Sequence, residues 1–187
     1  AEAGSFEARS YVANGVLEKT GDVDVFSVSV TRGQTLVAAV QAHRVLGSPM
    51  DSVVQILDAH GTVLGQNDDD HGNDSLLAVQ ATQDGRCFVR IFAFPSEPNS
   101  SIQFAGGPAY VYRLMISTGP VADHTWPMAV QAGRMADVEV HGWNLPDKLT
   151  IAAPESLPRT GEAAIRIPGP FALPVMVDVV GHPSIGE

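Results

Sequence analysis

The sequence predicts an all-β protein, and three observations carry that prediction. Apolar residues recur at every second position: Phe26, Val28 and Val30 alternate with Ser27 and Ser29, and Leu36, Ala38 and Val40 alternate with Val37, Ala39 and Gln41. A period of two is that of half-buried strands. Turn residues such as Asp58-Ala59-His60-Gly61 and Asp84-Gly85 punctuate these runs at the spacing of a sandwich or barrel. No segment sustains an apolar stripe at helical spacing for three turns.

Taken in order, the first strands are expected around Phe26–Val30 and Leu36–Val40, with Arg32-Gly33-Gln34 as the turn of a hairpin between them. Further strands are expected at Asp51 to Leu57, Thr62 to Gly65, Leu76 to Thr82, Arg86 to Phe94 and Ala109 to Ser117. The pattern pauses at Gly119-Pro120, and a shorter β-rich stretch begins near Trp126. Its strands are expected at Met128 to Gln131, Ala136 to His141, Lys148 to Ala152, Ala163 to Ile167 and Ala172 to Val180. Prolines at 127, 146, 154, 158, 168, 170, 174 and 183 favour short strands and rigid corners there. The expected division is therefore 1–118 for a first domain and 119–187 for a small companion module. So short a second stretch builds a marginal core and is expected to pack on its neighbour, anchored by Trp126 and Trp143.

Composition excludes several classes. The 187 residues carry 21 Asp+Glu against 11 Lys+Arg, a net charge of −10, and the pI is near 4.9. The basic patches that neutralise nucleic-acid phosphates are therefore missing. Hydrophobic residues make up 44% and charged residues 17%, a balance that fills a core and argues against disorder. No apolar run approaches the roughly 18 residues of a membrane span. The single cysteine, Cys87, alternates with Val89 and Ile91 and is expected to be a buried, inert thiol.

Three stretches in order carry a family resemblance. Asn14-Gly15-Val16-Leu17 leads into Gly21-Asp22-Val23-Asp24-Val25-Phe26-Ser27-Val28 and then Gly33. Ser48-Pro49-Met50-Asp51-Ser52-Val53-Val54-Gln55-Ile56-Leu57-Asp58-Ala59-His60-Gly61 follows, then Asn67-Asp68-Asp69-Asp70. Gly72-Asn73-Asp74-Ser75, Asp84-Gly85, Phe88 and Tyr110-Val111-Tyr112-Arg113-Leu114 close the set. Over residues 12–118 this order resembles the bacterial pre-peptidase C-terminal domain, a jelly-roll-like antiparallel β-sandwich related to the collagen-binding domains of secreted collagenases. Gly133, Val138, Val140, Gly142, Asn144 and Leu145 resemble, more faintly, an immunoglobulin-like module of the IPT/TIG kind.

The resemblance implies a non-catalytic module of an extracellular, periplasmic or cell-surface bacterial protein. It also implies that Ala1-Glu2-Ala3-Gly4-Ser5 is a short version of a Glu-rich lead-in and that the chain is one segment of a longer protein. In collagen-binding relatives, aspartates matching Asp22 and Asp24 help to hold calcium with acidic residues of the lead-in, for which Glu2 and Glu7 are the candidates here. Tyrosines on a late strand contact ligand in those relatives, which makes Tyr110 and Tyr112 candidates. Leu114 and Ile116 continue their alternating face, however, which marks it as core-facing.

The strongest local feature is Asn67-Asp68-Asp69-Asp70-His71-Gly72-Asn73-Asp74, with four carboxylates and two amides in eight residues. Like charges about 4 Å apart repel by about 1 kcal/mol even in water, and a bound cation relieves that repulsion. An all-oxygen donor set suits calcium, which takes six to eight oxygens in flexible geometry. Asp68, Asp69, Asp70 and Asp74 are therefore candidate ligands, against a solvated turn whose Asp and Asn side chains cap their own backbone. Asp22 and Asp24, two apart in an extended chain, point to one side and form a second candidate pair. Asp51 is expected to accept hydrogen bonds from neighbouring amides.

The six histidines, His43, His60, His71, His124, His141 and His182, show no metal-ligand spacing, so no zinc site is legible. Nucleophile elbows, phosphate loops and dinucleotide fingerprints are missing from the sequence as well. The leading expectation is a calcium-stabilised accessory module that attaches, spaces or presents a larger exported protein. One alternative is a binding protein for polysaccharide or fibrous protein. The other is a metal-dependent hydrolase that pairs the acidic loop with His43 or His71.

Overall fold

The alternating segments fold as strands in the computed structural model, which describes residues 4–6, 10–95, 103–131, 137–145, 150–152, 163–167 and 175–180. The chain divides into two units, Ala1–Thr118 and Gly119–Glu187. In the first lie β1 (Gly4–Phe6), β2 (Ser10–Val16), β3 (Asp24–Val30), β4 (Thr35–Gln41), a helical turn α1 (His43–Leu46) and β5 (Asp51–Leu57). They are followed by β6 (Val63–Asn67), β7 (Leu76–Gln80), β8 (Gly85–Phe94) and β9 (Val111–Ser117). A five-stranded sheet in the order β1-β3-β8-β5-β6 faces a four-stranded sheet in the order β2-β9-β4-β7. Apart from the parallel β1–β3 pair, the pairings in this unit are antiparallel.

The core lies between these two sheets because each strand turns one alternate row inward. Val28 and Val30 of β3, Val54 and Ile56 of β5, and Val89 and Ile91 of β8 supply one layer. Leu36, Ala38 and Val40 of β4 with Tyr112, Leu114 and Ile116 of β9 supply the other. Cys87 is buried in the same cluster, and burial pushes its thiol pKa up, as suits an inert core sulfur.

The hairpin expected across Arg32-Gly33-Gln34 does not form. The turn is present, with Gly33 at a φ of 86° and Gln34 N–H donating to Thr31 O at 3.0 Å. It joins strands of different sheets, since β3 pairs with β8 whereas β4 pairs with β7 and β9. The physical reason is that each strand has a core-facing apolar row, and an arch sets these rows opposite each other where a hairpin would lay them side by side. Gly33 N–H to Ala81 O and Ala81 N–H to Gln34 O, both 2.8 Å, tie the arch to the chain after β7.

The second unit contains β10 (Val121–Trp126), β11 (Ala129–Gln131), β12 (Asp137–Trp143), β13 (Thr150–Ala152), β14 (Ala163–Ile167) and β15 (Val175–Val180). They form two three-stranded sheets, β10-β12-β13 and β11-β15-β14, the latter with a parallel β11–β15 pair. The lead-in residues Glu2 and Glu7, Gly133 and His182 lie outside the described residues.

One glycine is required by packing. Gly15 of β2 stands opposite Tyr112 of β9, and a Cβ there would run into the end of the Tyr112 ring. Gly15→Ala is therefore expected to destabilise the chain by about 1–3 kcal/mol through overpacking. A urea titration would show this as a lower midpoint at unchanged slope.

Candidate functional site

The acidic segment between β6 and β7 folds back on itself around a buried aspartate. His71 N–H donates to Asp74 O at 3.0 Å, and Gly72 takes a φ of 67° that few other residues tolerate. Asn67, at the end of β6, accepts from Leu76 N–H through Oδ1 at 3.1 Å and so closes the loop. Asp74 itself is only 2% exposed. Its Oδ1 accepts from the N–H groups of Ala42 (3.0 Å) and His43 (2.7 Å), and its Oδ2 from that of Arg44 (3.1 Å). The carboxylate thus caps α1 from a distant part of the chain and satisfies donors that a helical start leaves unpaired. Both of its oxygens are used in this way, and of the four loop aspartates it is the one drawn inward as structure.

Next to it, Ser52 of β5 and Ser75 form a buried polar pair. Their hydroxyls are 2.8 Å apart, Ser75 N–H donates to Ser52 Oγ at 2.9 Å, and Ser75 Oγ donates to Ser52 O at 2.5 Å. Ser52 N–H reaches Asn73 O at 3.0 Å, while Val40 N–H of β4 reaches Ser75 O at 2.8 Å. Residues 73–75 therefore stitch the five-stranded sheet to the four-stranded one. Sequence reasoning did not find this pair. Its only signal was a lone serine at the head of the apolar run Ser52-Val53-Val54.

The other carboxylates stay toward solvent. Asp51 is half-buried, and its pKa lies above the ordinary 3.8, first because of burial and then because the charges of Asp69 and Asp68 oppose its ionisation, against a smaller effect of His43. The structure thus brings Asp51, Asp68 and Asp69 into one electrostatic group. Asp51 has no hydrogen bond from a neighbouring amide among the described residues, so the acceptor role expected for it passes to Asp74 and Ser52. Asp70 lies 2.8 Å from His71 Nδ1. His43 Nδ1 lies 3.1 Å from Ser48 O.

Asp22 and Asp24 are engaged separately. Asp22 accepts from Glu18 N–H at 2.7 Å and Val23 N–H at 3.1 Å, closing the turn before β3. Asp24 Oδ2 accepts from the Tyr112 hydroxyl at 2.5 Å. Burial, followed by this bond and by the charges of Asp24 and Asp22, raises the Tyr112 pKa far above that of an ordinary phenol. Tyr112 is 2% exposed and Tyr110 packs against the same core. The ligand contact considered for this pair therefore gives way to packing, because the face they share with Leu114 and Ile116 points inward.

With this geometry in place, the first unit can be set beside known proteins that it resembles. Residues 22–93 match the family model of the bacterial pre-peptidase C-terminal domain. The matched stretch runs from the turn before β3 to within a residue of the end of β8 and includes Asp22, Asp24, Asp51 and the whole acidic loop. A probable subtilase-type serine protease of Deinococcus radiodurans is 34% identical over 76 residues, which is 41% of this chain and 10% of that protein. The chain thus spans a tenth of the curated relative it matches. Among solved structures, the pre-peptidase C-terminal domain of a Bacillus anthracis collagenase aligns with a TM-score of 0.44 at 14% identity, covering 62% of this chain and 95% of its own. A periplasmic inhibitor of g-type lysozyme from Aeromonas hydrophila aligns with a TM-score of 0.43 at 12% identity, covering 62% and 96%.

Two substitutions separate the structural from the electrostatic aspartates. Asp74→Ala strands three backbone donors and is expected to cost about 3 kcal/mol, measured by chemical denaturation. Asp51→Asn is expected to act in the opposite sense. A carboxyl whose pKa is raised by folding favours the folded state below its unfolded value and loses that contribution as pH rises through the folded value. The Asp51→Asn gain in urea midpoint should therefore be present at pH 7 and fade as the pH falls toward 3.8 and below.

Proposed function

We propose that this chain is a non-catalytic accessory module of a larger exported, protease-type bacterial protein, with calcium stiffening the acidic loop. The observation that carries the reading is the match of residues 22–93 to the pre-peptidase C-terminal domain. Sequence identity to part of a probable subtilase-type serine protease supports the protease-type parent. The module's task is attachment, spacing or presentation of that parent. No helix among the described residues is long and apolar enough to cross a membrane.

The calcium part rests on donor chemistry. The charges of Asp69 and Asp68 oppose the ionisation of Asp51, and a hard divalent cation held by the oxygens of these three, with Asp70 at the rim, relieves that repulsion. Asp74, Asp22 and Asp24 are already hydrogen-bonded, and Asp74 serves this reading as the anchor that fixes the loop.

A native protein of 19.7 kDa, measured by intact mass, would overturn the accessory reading, since that is the mass of this chain alone. A much larger parent is expected. For calcium, the thermal midpoint is expected to rise on addition of the ion and return with chelator. The gain is about 2.7 kcal/mol at a hundredfold excess over Kd. Asp68→Ala with Asp69→Ala should remove it, and a midpoint indifferent to saturating calcium would remove the ion from the account.

A further inference from the structure

The second unit carries a cluster of a different chemistry. His124 of β10 and His141 of β12 are direct cross-strand partners, though 17 positions separate them in sequence. Their imidazoles stack with centroids 5.0 Å apart and planes 10° from parallel. The register slips between Ala122 and His124, so Asp123 is the extra residue of a β-bulge, a device that re-aims side chains. As a result the Asp123 carboxylate lies 2.9 Å from His124 Nδ1. Glu139, two residues before His141 and on the same strand face, lies 3.8 Å from His141 Nε2.

Glycine makes this arrangement possible. Gly142 adopts a φ of 156°, and a Cβ there would collide with the backbone of Val121 and Ala122. The bulge closes against the one residue type that leaves it room.

We infer that the bulged β10–β12 ribbon binds one divalent transition-metal ion, of the zinc class, through His124 and His141 with the carboxylates of Asp123 and Glu139 beside them. The two imidazoles decide the class, since imidazole nitrogens suit zinc, copper and nickel while calcium prefers oxygen alone. Asp123 holds His124 through Nδ1, which leaves Nε2 as the donor; carboxylate–histidine–metal arrangements have this pattern. Both rings are about half exposed, at 47% and 46%, so they are open to an ion from solvent. Binding a shared ion at about 2.0–2.1 Å per nitrogen requires the two rings to tilt out of their parallel stack, a movement open to exposed side chains, which reorient within picoseconds to nanoseconds. Calcium in the acidic loop and zinc on this ribbon use different residues and different donor chemistry, so either can fail without the other.

The test is calorimetric titration of the full 187-residue chain with Zn²⁺ in a constant excess of Ca²⁺. Saturable one-to-one binding is expected. His124→Ala and His141→Ala should each weaken it by about tenfold or more, with Asp123→Asn weakening it about 10–100-fold. Asp68→Ala with Asp69→Ala should leave it unchanged. Because the two histidines are on the surface, far-UV circular dichroism of each variant should match that of the parent chain, and His141→Gln provides a second variant of similar polarity. An absence of zinc binding, or an isotherm that either histidine substitution leaves unchanged, overturns the inference.

Discussion

The first unit depends on a buried polar junction at residues 73–75. Two sheets of opposite apolar faces attract without direction, and burial alone does not set where one lies over the other. Asp74 and Ser75 set that position. One side of the segment bonds to Ser52 in the five-stranded sheet, and the other bonds to Val40 and to the helical turn that follows β4. Ser52, Asp74 and Ser75 are all buried and paired. A buried carboxylate with three N–H donors is charge-assisted, and removing either side leaves groups that the low-dielectric interior penalises heavily. The junction therefore turns a tolerant stack of strands into one specific sandwich.

That junction also explains how a strongly acidic loop coexists with a stable fold. Of the four loop aspartates, Asp74 is drawn inward and satisfied by backbone amides, and the three consecutive ones stay at the rim where water screens them. The residual repulsion falls on Asp51, whose ionisation is opposed by Asp69 and Asp68. Asp22 and Asp24 show the same economy: one closes a turn, and the other takes the proton donor of a buried tyrosine. The acidic residues that the fold draws in are structural, each committed to a named hydrogen bond.

Much of the strand pattern was legible because its cause is local. Alternation locates the strand over Asp51–Leu57 and those over Gly85–Phe94 and Ala163–Ile167 to within a residue. Three strands escaped: β1 (Gly4–Phe6), which overlaps the residues read as a lead-in, β2 (Ser10–Val16), where Asn14-Gly15 breaks the apolar alternation, and β10 (Val121–Trp126), whose Asp123-His124 interrupts the apolar period. The site was less legible. A run of aspartates says that charge is concentrated, but which carboxylate is buried depends on where a remote helical turn presents its amides.

The sequence by itself determined the fold class, the resemblance of the first stretch, the core-facing row of Tyr112, Leu114 and Ile116, and the concentration of carboxylates. These follow from period-two alternation and composition, which act between near neighbours. The tertiary structure alone decided that β3 and β4 belong to different sheets, that Asp74 is a cap, that Asp51 joins Asp68 and Asp69, and that His124 faces His141. Each of those facts is a matter of strand register and sheet membership, which arise from contacts between residues far apart in the chain and leave no periodic trace in it.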